Sequence, residues 1–438
     1  MSFFRKKNNY CEFALAAYFS NDINVAEKYV KKALKQNPNS LEALLLWGNI
    51  FYIKQDYFRA EQIYQKILSF APQSLAAIIN CADIYILQKK YNKAKDYIDQ
   101  LGPIPKAQFL RGKVAFAEEN YKIAEDILLQ YSSNNNTDFW GDNLLSQAAQ
   151  KNGNFELALS SALSAVEKSK GDDAQHLNLH YAIYEIALEK GVDFILPTLD
   201  KWYQKYPDNP IVIHSKNCFD SNPDFKRSEP QYIKAVFDNF ADSFEVTLSD
   251  LNYAVPQKIA GEIKERLMIF PNKKMRILDA GCGTGLCALE VDSIFKKYQI
   301  DGVDLSAKML MIAKEKQLYY ELRNADIEAD FFNHKNTYDI ILAADVFTYF
   351  GDLKNIFSGA YYALQKNGIF VFSISKNFAS SDAWSQHISG RFLHGENYIK
   401  KLLQDNGFSD IKFTPCVLRK EGGKDVIGWV ISTIKKVP

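Results

Sequence analysis

Apolar residues in the first 210 positions fall at helical spacing, in paired segments separated by short polar breaks. The pattern recurs: Ala26, Ala60 and Ala94 stand 34 residues apart, and Pro38 and Pro72 keep the same step. The unit 41–74 shows it best, with Leu44, Trp47, Gly48 and Phe51 on a first helix and Ala60, Tyr64 and Pro72 on and after a second. Gly48 and Ala60 are small where two helices of one unit must cross closely, and Trp47, Phe51 and Tyr64 are placed to fill the space between neighbouring units. Weaker copies carry Gly112 and Ala124, then Ser146 and Ala158, then Leu179, Ile183, Trp202 and Pro207. The step from Ala94 to Ala124 is 30, with Pro103 and Pro105 at the junction, which predicts an irregular turn there. Five to six helix pairs are expected between residues 7 and 210.

Residues 217–229 break this pattern, and their Asn, Asp, Ser and Pro content reads as a linker. After a helical segment at 231–249, strands and helices alternate. MRILDAGCGTG from Met275 is an apolar strand running into three glycines at alternate positions, and a helix follows at 286–298. A second strand ends at Asp304, a third precedes Asn324, a fourth starts at Tyr338 and a fifth covers 367–375. IKFTPCVLRK and VIGWVISTIK close the chain as two strands around a Gly422–Gly423 hairpin turn. The expected division is a helical-repeat domain at 1–216, a linker at 217–229 and a doubly wound α/β domain at 230–438.

A strand, a glycine loop and a helix let a nucleotide-like cofactor lie against bare backbone. Gly281, Gly283 and Gly285 provide that loop, and Asp304, at the end of the next strand, can accept from both hydroxyls of a ribose. A dinucleotide fold is the alternative, although Leu286 stands where the third glycine of G-x-G-x-x-G belongs.

The 34-residue period is similar to that of tetratricopeptide repeats, and the first half resembles that family. In the second half, the ordered set LDAGCGTG, VDLS, NADIE, YDIILAADV and KNGIFVFS resembles the motifs of class I S-adenosylmethionine-dependent methyltransferases. Together the halves look like methyltransferases that carry tetratricopeptide repeats at their N-terminus. That resemblance implies an all-α solenoid ahead of a Rossmann-like sheet with a terminal antiparallel strand, and S-adenosylmethionine as cofactor. It implies that Asp279, Gly281 and Gly283, with Cys282 between the glycines, lie near the methionine part, and that Asp304 takes the ribose. Leu305 and Met309 would flank the adenine, Asp326 with the Ile327 backbone would meet its amino group, and Ala344 and Asp345 would face the sulfonium. Phe240 and Phe244 resemble the aromatics that close over the cofactor. The implied activity is methyl transfer to an unidentified acceptor, protein or small molecule, with a protein or peptide in the groove of the repeats. The alternative is a catalytically silent cofactor-binding scaffold or interaction protein.

A sulfonium activates its own methyl group, so orienting the acceptor and excluding water matter more than a base. Where a proton must leave, the candidates are Asp345, Tyr349, His387 and His394, with His394 in GRFLHGE the first choice and Tyr349 the second. His176 and His180 stand four apart, a ligand spacing without a third ligand, so they are expected on the surface and no metal is expected.

Net charge narrows the partners: 53 basic against 52 acidic residues leave no field to draw nucleic acid or an anionic membrane. The longest apolar run, 43–53, falls short of the roughly 20 residues that span a bilayer. The basic start MSFFRKK lacks a cleavage pattern, and the six dispersed cysteines form no C-x-x-C pair, so a reducing cytoplasm is expected. Cys282 and Cys287, flanking the glycine loop, read as packing.

Overall fold

The computed structural model describes residues 9–20, 22–220, 224–266, 274–421 and 424–436. The Gly422–Gly423 turn and the start MSFFRKK lie outside the described residues. The chain forms two compact units, Met1–Gly171 and Asp172–Pro438.

Among the described residues the first unit is built from five antiparallel helix pairs, from Tyr10–Phe19 with Ile23–Gln36 to Phe139–Lys151 with Phe155–Lys168. Side chains of Asp22, Ser40, Asp56 and Asn154 accept from backbone N–H groups of the first turn and so start their helices. Inside the last four pairs the chain turns through a left-handed residue at Gln55, Lys89, Glu119 and Gly153, which are 34, 30 and 34 residues apart. The short step has a local cause. The second helix of the third pair, Tyr91–Asp99, has 9 residues where its counterparts Tyr57–Phe70 and Tyr121–Asn134 have 14, and Pro105 opens the next helix at its first turn.

Gly48 explains how tightly a pair closes. A Cβ there would lie 2.4 Å from Cε1 of Tyr64, a fully buried ring on the partner helix whose hydroxyl donates to Asn49 at 2.6 Å. Tyr64 closes its own pair and also joins the cluster that runs into the next one, with Ala77, Ile78 and Cys81, and Trp47 bridges neighbouring clusters. The same fit recurs at Gly112 against Leu128, and Gly141 against Tyr131 makes an equally close approach between neighbouring pairs. Gly48→Ala gains about 1 kcal/mol of helix propensity and incurs about 1–3 kcal/mol of overpacking. The expected outcome is a transition of the first unit lowered by several degrees in differential scanning calorimetry, and an unchanged or raised one would refute the close-packing account.

Among the described residues of the second unit nine strands follow in chain order: β1 (Met275–Ala280), β2 (Tyr298–Asp304), β3 (Glu321–Asn324), β4 (Tyr338–Ala343), β5 (Leu364–Ser375), β6 (Trp384–Gln386), β7 (Phe392–His394), β8 (Phe408–Glu421) and β9 (Lys424–Lys435). Seven form one sheet in the order β3-β2-β1-β4-β5-β9-β8, and β6 pairs with β7. The first five are parallel, while β9 runs antiparallel between β5 and β8, with Ile369 opposite Ile434 and Ser375 opposite Gly428. Strand parity divides two cores. Leu278, Ile341, Phe370 and Phe372 face Phe347 and Phe357, and Ile277, Ile340, Ile369 and Val371 face Val255, Ile259 and Ile263. With both faces covered, central strands read as continuous apolar runs.

This unit also takes in the helices Asp173–Lys190, Val192–Lys205 and Pro210–Phe219, which the repeat pattern groups with the first half. Residues 224–229 are no free tether: Phe225 and Ser228 are buried, Ser228 N donates to the Tyr349 carbonyl at 2.9 Å, and Gly351 N donates to the Lys226 carbonyl at 2.8 Å. Two short helices, Pro230–Phe240 and Phe244–Asp250, then lead into the sheet.

Candidate active site

Strand order reverses between β1 and β4, and at such a switch point the carboxyl ends of parallel strands leave a crevice. Here β1 runs into the glycine loop. Gly281 N and Cys282 N both donate to the Val303 carbonyl, at 2.8 and 3.0 Å, which folds the loop over the end of β2. Gly281, Gly283 and Gly285 have φ of +70°, +53° and +92°. A Cβ on Gly281 would sit 2.4 Å from Cγ2 of Val346, so the backbone must be bare.

Asp304 ends β2 with one carboxylate oxygen accepting from Gly283 N at 2.8 Å and the other from Ser306 N at 2.8 Å. Burial pushes its pKa up, and those backbone donors oppose the rise. A cavity of about 650 Å³ opens in front of this group, in the size range of ligand pockets. Its wall brings together Gly281, Gly283, Asp304, Leu305, Asp326 and Ile327. Ala344, Asp345 and Tyr349 line it too, and Phe240 and Phe244, packed edge to face at 5.4 Å, add aromatic surface.

Four residues singled out in the sequence lie behind that wall. Asp279 accepts from the Tyr319 hydroxyl at 2.8 Å, and burial, with Asp304 nearby, pushes it up to about 7. Cys282 is buried with its thiol pushed well up, and Met309 is fully buried in its own helix. His394 is likewise fully buried. Its Nε2 donates to the Gly351 carbonyl at 3.1 Å, its ring stacks on Tyr398, and burial pulls its pKa down to about 4. The first choice for a base is thereby corrected: His394 is a structural side chain, because β7 alternates and Phe392 and His394 share the inward face. Among the described residues no histidine lines the cavity.

His176 and His180 also need correction, since both are buried and not on the surface. His176 Nδ1 accepts from Trp202 Nε1 at 2.9 Å, and His180 Nδ1 meets Ser215 Oγ at 2.8 Å. Among the described residues no cluster of His, Cys, Asp or Glu could hold a metal ion.

The charged partners of the wall went unread in the sequence. Arg227 pairs with Asp326 and, at 3.3 Å, with Glu328, and it stacks over Phe350 at 4.5 Å. Arg419 grips both oxygens of Asp345, at 2.8 and 2.6 Å, and reaches Glu421 at 3.3 Å; Arg391 also pairs with Glu421. Asp345 is held at φ +61°, with its N–H donating to Ser373 Oγ at 2.8 Å. A non-glycine residue in that region costs of order 1–3 kcal/mol, and the surrounding bonds hold it there. Tyr181, from helix Asp173–Lys190, and Tyr253 complete this side. The arrangement can bind and orient a ligand between a bare backbone loop and a polar wall. It supplies no neutral imidazole to take a proton.

Residues 277–368 match the family model "Methyltransferase domain", and residues 11–74 match "Tetratricopeptide repeat". Among curated proteins, a malonyl-[acyl-carrier protein] O-methyltransferase of Bacillus anthracis is 29% identical over 102 residues, covering 23% of this chain and 38% of that protein. One from Ilyobacter polytropus is 31% identical over 127 residues, covering 29% of this chain and 47% of its own. The chain spans about half or less of the length of the curated relatives it matches. Among solved structures, a magnesium protoporphyrin IX methyltransferase from Synechocystis PCC 6803 aligns over 48% of this chain and all (100%) of that one, at 17% identity and a TM-score of 0.37. Among the described residues no helix is long and apolar enough to cross a membrane.

Proposed function

We propose that this chain, which joins tetratricopeptide repeats to a methyltransferase domain, binds S-adenosylmethionine in the cavity of its second unit and transfers the methyl group to an acceptor held in the same cavity. The observation that carries this reading is the bare backbone at Gly281 and Gly283 on one wall with Asp304, at the tip of the neighbouring strand. The residues present fit the cofactor. A Cβ at Gly281 would collide with Val346, and the Asp304 carboxylate keeps lone pairs free after accepting one bond at each oxygen.

In this reading the glycine backbone holds the methionine end and Asp304 the ribose hydroxyls. Leu305 and Ile327 flank the base, Asp326 takes its amino group with Arg227 steadying the carboxylate, and Phe240 and Phe244 keep water out. Ala344 and Asp345 border the reacting side. The cofactor, when bound, supplies a methyl group already activated by its sulfonium charge. The protein's part is to position the acceptor and keep the site dry. Tyr349, whose phenol is pushed up by burial, serves as a hydrogen-bond donor and not as a base. The repeats serve protein or peptide recognition or assembly, and the six free cysteines support a cytoplasmic setting.

Isothermal titration with S-adenosylmethionine and S-adenosylhomocysteine tests the reading, and heat from neither would end it. Asp304→Asn turns an amide donor towards one of two backbone donors and weakens a charge-assisted bond to ribose. A loss of roughly 10–100-fold in S-adenosylhomocysteine affinity is expected. Unchanged affinity would remove Asp304 from the site.

A further inference from the structure

Four charged side chains of the cavity wall form a row of alternating sign, Asp345, Arg419, Glu421 and Arg391. Three of them are engaged along the row: Asp345 by both its oxygens, Arg419 by two acids at its Nη atoms, and Glu421 by two arginines. Arg391 stands at the open end. A guanidinium has five N–H donors, and among the described residues this one spends only Nη1, on Glu421. Two cations (Arg391, Arg419) and two carboxylates (Asp345, Glu421) thus balance along the row, and the donors left over are those of Arg391. The hydroxyls of Tyr181 and Tyr349 make no hydrogen bond among the described residues, and Ile233 and Phe237 give the nearby wall an apolar surface.

Arg391 is 30% exposed, so its unspent donors are open to an anion that enters the cavity. We propose that the methyl acceptor is a small organic acid with a flat apolar body, its carboxylate held by Arg391 and its body lying against Tyr181, Tyr349 and Phe237. The planar fork of arginine fits two carboxylate oxygens at once. An ammonium acceptor would meet a guanidinium there. The inference rests on the methyltransferase reading of the same cavity and adds to it the class of acceptor, with Arg391 as the residue that selects it.

The full chain saturated with S-adenosylhomocysteine is titrated with three acid and amide pairs: 4-hydroxybenzoate, 4-hydroxyphenylacetate and indole-3-acetate, each against its carboxamide. Acids are expected to bind at least about tenfold more tightly than their amides at neutral pH. Arg391→Gln should bring each pair within about threefold, Arg391→Lys should keep part of the preference, and S-adenosylhomocysteine affinity should stay within about twofold in both. Glu421→Gln, which frees the guanidinium, should tighten the acids and reports even if Arg391→Gln does not fold. If S-adenosylhomocysteine binds but the acids show no preference, or none binds at millimolar concentration, this inference falls alone. If S-adenosylhomocysteine itself fails to bind, the methyltransferase reading falls and takes this one with it.

Discussion

A Gly281→Ala chain is expected to give no measurable heat with S-adenosylhomocysteine while keeping its far-ultraviolet circular dichroism. Two independent costs meet at this position. The backbone has φ +70°, where an L side chain costs roughly 1–2 kcal/mol. The new methyl group would also lie 2.4 Å from Cγ2 and 3.1 Å from Cγ1 of Val346, so it cannot be absorbed by one flexible chain end. The loop must then move off the Val303 carbonyl that holds it, and Gly283, which fixes the Asp304 carboxylate, moves with it. One methyl group thus displaces both walls of the proposed nucleoside site, and a loss of more than about 100-fold is expected where Asp304→Asn loses one contact. Binding within threefold of the parent would show that the loop is a plain turn.

Mild acid should unfold the second unit well before the first. All six histidines lie beyond Gly171, and His176, His180, His214 and His394 are buried to 2% exposure or less. Burial lowers the pKa of all four, to about 4 for His180 and His394 and well below the usual value for His214, where His180 adds to the effect. In the unfolded chain an imidazole takes up its proton near pH 6.5. Between pH 6.5 and 4 the unfolded state therefore binds more protons, and stability falls as pH falls. His180 and His394 alone remove on the order of 5–7 kcal/mol by pH 4. Asp279 and Asp304 act in the opposite sense, because burial raises their pKa and the folded state gains their protons first. Two carboxyls offset only part of four imidazoles. In the first unit Glu27 and Asp56, whose pKa values are lowered by their basic partners and by backbone bonding, lose their contribution only once the pH falls below the ordinary carboxylate range. Calorimetric scans from pH 7 to 4.5 should show one transition moving steeply down while the other holds. Parallel movement of both would contradict the burial account.

What could be read from the chain was what folds locally. A repeat whose helices pack on their neighbours writes its period into Ala26, Ala60 and Ala94, and a loop writes glycine at 281, where a Cβ has no room, and at 283, where φ is +53°. Strands covered on both faces write apolar runs, which is why β1 and β4 were legible. Ion pairs write nothing of the kind. Arg419 meets Asp345 across 74 positions and Arg227 meets Asp326 across 99, with no spacing rule to announce either. At 391–394 the available signal was parity, which sends Phe392 and His394 inward and leaves Arg391 on the other side. The pair His176 and His180 misled because helix Asp173–Lys190 is covered on more than one face, with 9 of its 18 residues buried, so a polar residue on it is no sign of water.

Because residues 224–229 are stitched to the chain at 349–351, the body that carries the cavity is larger than its sheet. A fragment trimmed to begin at residue 230 would forfeit Arg227 behind Asp326 and Tyr181 beside Arg391, and would strip cover from Tyr232, whose buried ring stacks at 3.5 Å on that of His214. The two compact units meet in sequence at Gly171, so a fragment meant to keep the cavity whole has to retain the three helices that follow that residue.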